Sequence, residues 1–551
     1  MKAFGGTGAG PLAGGSAEFL EKTARSIAEV QPSLDTVPEV VVFLEVLGYT
    51  NATAVKNGFR DLFDVADHLY PVLDHYVDRE ETMRDQQESM LLPVPSVGRR
   101  LARGVGLVFP WLGSLMVLLF FGVSLWLVFG LPLFFTTSLI VGLFLGLLAS
   151  EGPVQLFQRI FSFYLDQYNL SEVRRAIGRS YYLALLMLGC IVAAIFWVCL
   201  LAHIPQDLMI LATLASSTIL LHRVSYTLVY SLKRFGQIVA SYAAALATLV
   251  LVYTWMGGLI PLEIQRYLVS LGTAVVVLSI LPIYYTYRVL TASSAYSLAD
   301  ASANPLNAIK LNRRTIRSSF GVQFWEGLPY FLFGMLFFAM LFGDRVMSWF
   351  FNPDHLVDGI RLPLVFNITY HLGADVALFV IFPASIIQFV IMSPISEQLS
   401  NLVTRTKARE IEKVDTFLRY RYGLAVTVSA AVAAGTAFAL IIFSHGIEAL
   451  IGGSSTSIFV LQVAAVANVF MVIFMANSLF LIFMNKIKAL LGITAVGVLV
   501  LAQVGILMSR LGFQDVVFGY LFATIVTMAL SYQWVVWSLN RPGSLFFSRY
   551  I

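Results

Sequence analysis

Residues 152–185, GPVQLFQRIFSFYLDQYNLSEVRRAIGRSYYLAL, form a charged, amphipathic stretch between two segments too apolar to remain in water. Something much like it returns at residues 393–426, SPISEQLSNLVTRTKAREIEKVDTFLRYRYGLAV. Aligned without gaps, Pro153 falls on Pro394, Leu170 on Ile411, Val173 on Val414, Ile177 on Leu418, Tyr181 on Tyr422 and Ala184 on Ala425. The regions around the two stretches correspond too. FPWLGSLMVLLFFG, with Pro110, parallels LPYFLFGMLFFAMLFG, with Pro329, and the basic turns SLKRFG and FMNKIKA occupy matching places. The order of these matches is the same in both halves, which points to an internal duplication.

The apolar runs around these stretches set the fold class. Mean hydropathy is +0.80, and the runs are about twenty residues long, enough to cross a bilayer core as helices. They are continuous rather than alternating, which excludes a barrel. Twelve spans are expected near 105–129, 131–150, 180–202, 207–229, 236–257, 267–288, 325–343, 363–392, 423–444, 456–483, 489–509 and 514–537. One side of this arrangement collects Arg99, Arg100, Arg103, Arg174, Arg175, Arg179, Lys233, Arg234 and their second-half counterparts. The other holds little beyond Arg266, Arg345, Arg361 and Arg510. By the positive-inside rule both termini are cytoplasmic, in a multi-pass protein of the plasma (inner) membrane. Six spans per half keep the two repeats parallel, related by an axis along the membrane normal. Cys190 and Cys199 share one apolar run and read as small hydrophobes.

Residues 1–17 read as a disordered Gly-rich tail and 18–92 as a cytoplasmic helical module. In that module Pro38 opens one helix and Gly48 caps it, while Phe59, Phe63, Ala66, Leu69 and Leu73 share one stripe of another. His68 and His75 lie on one face with no third ligand at a metal spacing and read as surface histidines. Residues 93–104 read as an interfacial elbow, 105–290 as the first six-helix half, 291–324 as a cytoplasmic linker, 325–540 as the second half and 541–551 as a cytoplasmic tail. In the opening stretch and its repeat, Arg159, Arg174, Arg175, Arg409 and Lys413 are expected at headgroups on interfacial helices. Phe157, Ile160, Phe161 and Tyr164 are expected to face the lipid boundary.

A 6+6 arrangement with such a helix after the second span of each half resembles the multidrug/oligosaccharidyl-lipid/polysaccharide (MOP) flippase superfamily. Within it, residues 100–540 resemble the membrane subunit of the Pel exopolysaccharide exporter (PelG-like). The likeness is carried by GPVQLFQRIFSFYLD, FFAMLFGDRVMSWFF, LVDGIRLPLVFNITYHLGADVALFVIFPA and EALIGGSSTSIFVLQVAAVANVFMVIFMANSLFLIF. The sequence departs from it in the N-terminal module and in FPWLGS of the first span. The resemblance implies export of a polysaccharide or lipid-linked glycan from the cytoplasm across the cell envelope, as in biofilm exopolysaccharide secretion. It implies alternating access of a cavity between the halves, and as partners a cytoplasmic glycosyltransferase and other envelope-complex membrane subunits.

The chain has no phosphate loop, no HExxH and no nucleophile elbow with partners. It reads as a non-enzyme without cofactor, metal or nucleic acid. Energy then comes from an ion gradient, the membrane potential or a polymerising partner.

Ionisable residues at membrane depth mark the candidate path. Asn367, His371 and Asp375 recur at i, i+4 and i+8 on span 8 and, with Tyr370, form a polar stripe suited to sugar hydroxyls or a proton. Asp344 and Arg345 end span 7, and Asp358 and Arg361 open span 8; together they are expected as an outer gate. Glu326 and Glu397 flank the inner mouth, with His222 and Arg223 of span 4 facing them. Tyr284, Tyr285, Tyr287 and Arg288 form an inner aromatic-basic cluster that could stack on sugar rings.

Two other readings compete with the flippase. A MATE-like small-molecule antiporter needs an acidic residue deep in an N-terminal span, and spans 1 to 3 as bounded here contain no Asp or Glu. A non-transporting membrane scaffold would dock a cytoplasmic glycosyltransferase through the N-terminal module.

Overall fold

The computed structural model describes residues 14–30, 37–73, 96–125, 130–166, 169–260, 262–292, 320–353, 356–357, 360–405 and 411–540. It divides into two units, one drawn from Met1–Val94 and Glu397–Phe417, the other from Pro95–Ser396 and Leu418–Ile551.

The smaller unit contains helices Gly14–Val30, Val37–Val46, Asn51–Lys56 and 62–73. Their apolar stripes meet in a core that includes Leu20, Ala24, Ile27, Val40, Leu44, Ala66 and Leu69. Gly48 adopts φ +85°, the left-handed geometry that ends a helix, and Thr50 and Thr53 cap the next one reciprocally. Two expectations are corrected. The helix begins at Gly14, inside the stretch read as a tail, because Phe19 and Leu20 give that segment an apolar face to bury. Phe59, Ala66, Leu69 and Leu73 are buried as expected, but Phe63 is exposed, and Leu62 and Val65 join the buried face. His68 is held locally, its Nδ1–H donating to the Asp64 carbonyl at 2.8 Å; His75 lies outside the described residues.

The larger unit contains twelve helices long and apolar enough to cross a membrane among the described residues. We call them spans 1 to 12: Val97–Phe121, Leu133–Leu165, Leu170–Leu201, Gln206–Ser231, Phe235–Gly258, Glu263–Thr291, Phe320–Phe350, Ile368–Ser393, Thr416–Ile442, Ser455–Phe483, Ile487–Met508 and Phe513–Leu539. The expected number and order hold. Beyond helices there is one hairpin of two-residue strands, Leu356–Val357 with Ile360–Arg361. Span 1 is displaced from its expected bounds. Its helix starts at Val97, so the elbow arginines Arg99, Arg100 and Arg103 belong to its first turns, and it stops where Gly122 turns left-handed at φ 69°.

The interfacial helix of the opening stretch is a larger correction. Span 2 runs without a break through Gly152 and Pro153 to Asp166. Its aromatic residues do not face lipid: Phe157, Ile160, Phe161 and Tyr164 are buried against span 3 and the start of span 7. A proline inside a helix deletes one backbone hydrogen bond, and here tight packing outweighs that loss. A Cβ on Gly152 would lie 2.8 Å from the Phe331 ring and one on Gly334 2.9 Å from the Glu151 carbonyl, so spans 2 and 7 touch almost backbone to backbone. Arg159 lies 4.2 Å from the Tyr330 ring centroid. Arg174 donates to the Val289 carbonyl at 3.1 Å, at the end of span 6, and Arg175 pairs with Glu172. The repeat behaves alike, since one helix runs from Ile381 through Pro394 to Arg405. Arg409 and the side chain of Lys413 lie outside the described residues.

Both halves use the same neighbours. Span 2 packs on 4 as 8 does on 10, 5 on 6 as 11 on 12, and 1 on 5 as 7 on 11. The close pairs rest on glycine: Gly142 and Gly146 against Ala212 and Ser216, and Gly373 against Ser457. The basic turns match as well, with Lys233 at φ 57° and Asn485 at φ 58°. Arg419 caps the last carbonyl of span 12, Leu539, at 3.1 Å, as Arg174 caps span 6.

Candidate functional site

Span 8 is broken. An α-helix over Ile368–Ala377 gives way to a 3₁₀ turn at Leu378–Val380 before the helix resumes at Ile381. Pro383, which cannot donate to its preceding turn, accounts for the break. The Ala377 carbonyl at the start of this turn also accepts from Asn468 Nδ2 of span 10 at 2.7 Å, and Asn468 Oδ1 accepts from the Tyr520 hydroxyl at 2.7 Å.

The turns before this break carry the predicted stripe, which divides by role. Asn367 is the helix N-cap, its side chain accepting from the Tyr370 backbone N–H at 3.1 Å. Its side chain thus serves the start of the helix. Tyr370 is fully buried and donates to Asp344 Oδ2 at 2.8 Å. His371 Nε2 stands 3.2 Å from Asp375 Oδ2; with the proton on Nε2 it donates, and Nδ1 has no partner. Asp375 Oδ1 receives two donors from Arg345, at 3.1 and 3.2 Å. Arg345 also reaches Asp344 Oδ1 at 3.3 Å.

Asp344 and Arg345 are therefore not an exposed outer gate. They are 0% and 2% exposed, and they join Tyr370, His371 and Asp375 in one cluster between spans 7 and 8. Asp358 and the side chain of Arg361 lie outside the described residues. With His371 neutral, the cluster holds two carboxylates and one guanidinium, an excess of one negative charge. Such a charge in a low-dielectric interior calls for a proton, a cation or further donors.

One side of the cluster borders a cavity. Asp375 and His371 border a cavity of about 70 Å³ with Trp111, Ser114 and Leu118 of span 1, Phe144 of span 2, and Phe342 of span 7. The space admits no more than a few waters, so the chamber is narrow. Its walls are aromatic: Trp111 stacks on Phe342 with centroids 6.1 Å apart, and Phe144 meets Phe342 edge-on at 5.2 Å. Arg345 lies 5.1 Å from the Phe342 ring centroid.

The inner-mouth residues are arranged differently from expectation. Arg223 pairs with Glu151 of span 2. Gln155 also donates to Glu151, at 2.7 Å, and the Arg223 guanidinium lies 4.9 Å from the Phe338 ring centroid. His222 is 2.7 Å from the Tyr242 hydroxyl inside the first half. Glu326 is exposed, and the side chain of Glu397 lies outside the described residues. Of the aromatic-basic cluster, Tyr284 meets Tyr285 edge-on at 5.2 Å and lies under Arg288 at 5.8 Å, while Tyr285 is buried and donates to Gln237 and Tyr287 is exposed.

Two participants were missed from the sequence. Glu151 was placed beyond span 2 because Pro153 read as its end, so the absence of acidic residues from the first spans does not hold: Glu151 and Glu172 are both in those helices and buried. Trp111 sits beside Pro110 in FPWLGS, the motif at which the chain departs from its resemblance, and that departure was the available signal. Cys190 is exposed and Cys199 partly so, and both are free. Among the described residues no group of three or more His, Cys, Asp or Glu is placed to hold a metal ion.

No protein family matches this sequence as a whole, and no curated protein does. Solved structures do. An outward-facing multidrug resistance MATE transporter of the MOP superfamily superposes with a TM-score of 0.54 at 12% identity, covering 81% of this chain and 96% of its own. An inward-facing MATE transporter gives 0.51 at 12%, covering 82% and 96%. A MOP superfamily transporter from Pyrococcus furiosus gives 0.54 at 14%, covering 82% and 99%; its binding pocket is described as reversed in polarity, suggesting a different function. At these identities the likeness is one of fold: the twelve spans are arranged as in MOP-superfamily transporters.

Proposed function

We propose that the chain is a membrane transporter that exports a polysaccharide or lipid-linked glycan by alternating access, with both termini cytoplasmic. One observation carries this reading. The cavity between spans 1, 2, 7 and 8 joins aromatic walls, Trp111, Phe144 and Phe342, to a polar end, His371 and Asp375. Aromatic faces suit the C–H faces of pyranose rings, and a carboxylate beside an imidazole suits their hydroxyls. The narrow chamber then widens as the halves rock apart about the contact of spans 2 and 7. The PelG-like resemblance supports a glycan cargo and a glycosyltransferase partner on the cytoplasmic side.

A second reading, a small-molecule antiporter of the MATE type, is favoured by Glu151, a buried carboxylate in the first half, and by the excess negative charge beside Asp375. The decisive experiment places the purified chain in vesicles and measures uptake of a glycan and of a lipophilic organic cation in parallel. Glycan movement lost on Trp111→Ala supports the exporter. Cation movement driven by a proton or sodium gradient, with no glycan movement, replaces it by the antiporter; movement of neither, with the fold intact, leaves the scaffold.

A further inference from the structure

A well-formed groove lies apart from the central cavity. About 240 Å³ in volume, it runs between the N-terminal end of span 2, the C-terminal end of span 3 and the N-terminal end of span 4. Span 2 is the partition between the two: Thr137, Val141 and Leu145 face the groove, and Ile140, Phe144 and Leu147 face the central cavity. Leu362, Pro363 and Leu364, just before span 8, close one end.

Its chemistry is restrictive. The lining is almost wholly apolar: apart from the weakly polar Cys199 thiol, its polar side chains are already engaged, Ser138 donating to the Leu208 carbonyl, and Thr137 donating to the Leu133 carbonyl at 2.8 Å and accepting from the Phe366 N–H at 3.1 Å. Nothing is left to hold a sugar, a phosphate or an ion, since a buried polar ligand needs partners. The open side is formed by Ala194 and Val198 of span 3, among Phe196, Trp197, Leu200 and Leu201, all exposed apolar side chains on a membrane-crossing helix. An apolar groove that opens on a surface of this kind adjoins bilayer hydrocarbon, and close packing favours filling it.

We propose that this groove is a binding site for one acyl chain of a bilayer phospholipid. The seated chain also supports the segment Leu362–Phe366, which runs from the groove wall to the candidate site, where the Phe366 ring lies 5.0 Å from that of His371. The inference is independent of what the protein transports.

The test reconstitutes the full chain in phospholipid vesicles doped with a diacyl phospholipid that carries a photoreactive diazirine along one acyl chain. Cross-links are mapped after irradiation. The expected result is a saturable cross-link to the peptides containing Val141 and Val198, displaced by unlabelled phospholipid. It falls severalfold in Val198→Trp, which fills the groove, and is unchanged in Leu251→Trp on the exposed face of span 5. Labelling spread evenly over all exposed spans, or undiminished in a folded Val198→Trp, overturns the proposal. So does a cross-link displaced by an isoprenoid alcohol and not by phospholipid, which would assign the groove to a different lipid. The mapping on the unsubstituted chain decides alone if Val198→Trp does not fold.

Discussion

Spans 2 and 8 hold the same place in their halves and are built in opposite ways. Span 2 is one unbroken helix, clamped to span 4 through Gly142 and Gly146 and to span 7 through Gly152. Span 8 makes the matching contact with span 10 through Gly373, then breaks at Leu378–Val380 and places His371 and Asp375 just before the break. Each is accompanied by an arginine beside an aromatic ring of span 7, Arg223 at Phe338 and Arg345 at Phe342, one helical turn apart. The first arginine serves one carboxylate, Glu151, in a pair closed by Gln155. The second serves two, and one of them reaches the cavity. Duplication thus supplied two similar frames, and the break in one of them supports the asymmetric, charge-unbalanced cluster.

If that asymmetry is real, removing the two arginines has unequal cost. Arg345→Ala leaves Asp344 and Asp375 without a cation in a largely buried site and is expected to cost about 3–5 kcal/mol, the range for breaking a buried ion pair. Arg223→Ala, with Glu151 still held by Gln155, is expected to cost less. Thermal unfolding of both in detergent measures the order, and equal losses would erase the distinction between the halves. Asp375→Asn sharpens it further. The amide keeps an acceptor for Arg345 and Asp344 keeps its pairing, so the fold should persist while transport falls by about tenfold or more, the scale of lost charge-specific contacts. Glu151→Gln, away from the cavity, should leave transport much nearer its starting value.

The number of spans, their order and the duplication were legible in the sequence because they rest on long apolar runs and on repeated prolines and basic turns, which need no tertiary knowledge. The site was only half legible. Helical spacing alone placed His371 and Asp375 together, but it also put Asn367 on their face, where the start of the helix makes it a cap. Asp344 and Arg345 were placed outside because they follow an apolar run; burial by Trp349, Tyr370 and the next span is a property of packing, not of spacing. Likewise Pro153 reads as a helix end, and only the glycine contacts with span 7 explain why the helix continues past it to bury Phe157 and Phe161.

Smaller effects test whether the two frames are equally tight. A Cβ at Gly142 would stand 2.2 Å from the Ala212 carbonyl, and one at Gly373 2.3 Å from that of Ser457. Gly142→Ala and Gly373→Ala should each therefore cost about 1–3 kcal/mol through forced separation of the helices. Gly178→Ala, with nothing within 4 Å of the new Cβ, should be neutral or slightly stabilising through helix propensity. A large loss at only one of the tight positions would show that one frame yields where the other does not.

The smallest expected loss falls on Asn367, where the cap and the path readings of one residue separate. Its Oδ1 accepts from the Tyr370 N–H and from Thr369 Oγ1, and the side chain is nearly buried. Asn367→Ala removes the cap and should cost about 1 kcal/mol of stability, whereas Asn367→Asp or Asn367→Ser, which cap as well, should restore it. Because His371 and Asp375 lie one and two turns further along the same helix, transport should follow stability across the three variants. If transport is instead lost in Asn367→Ser with stability intact, the amide itself contacts the cargo, and the polar stripe extends beyond the break-side pair to the first turn of span 8.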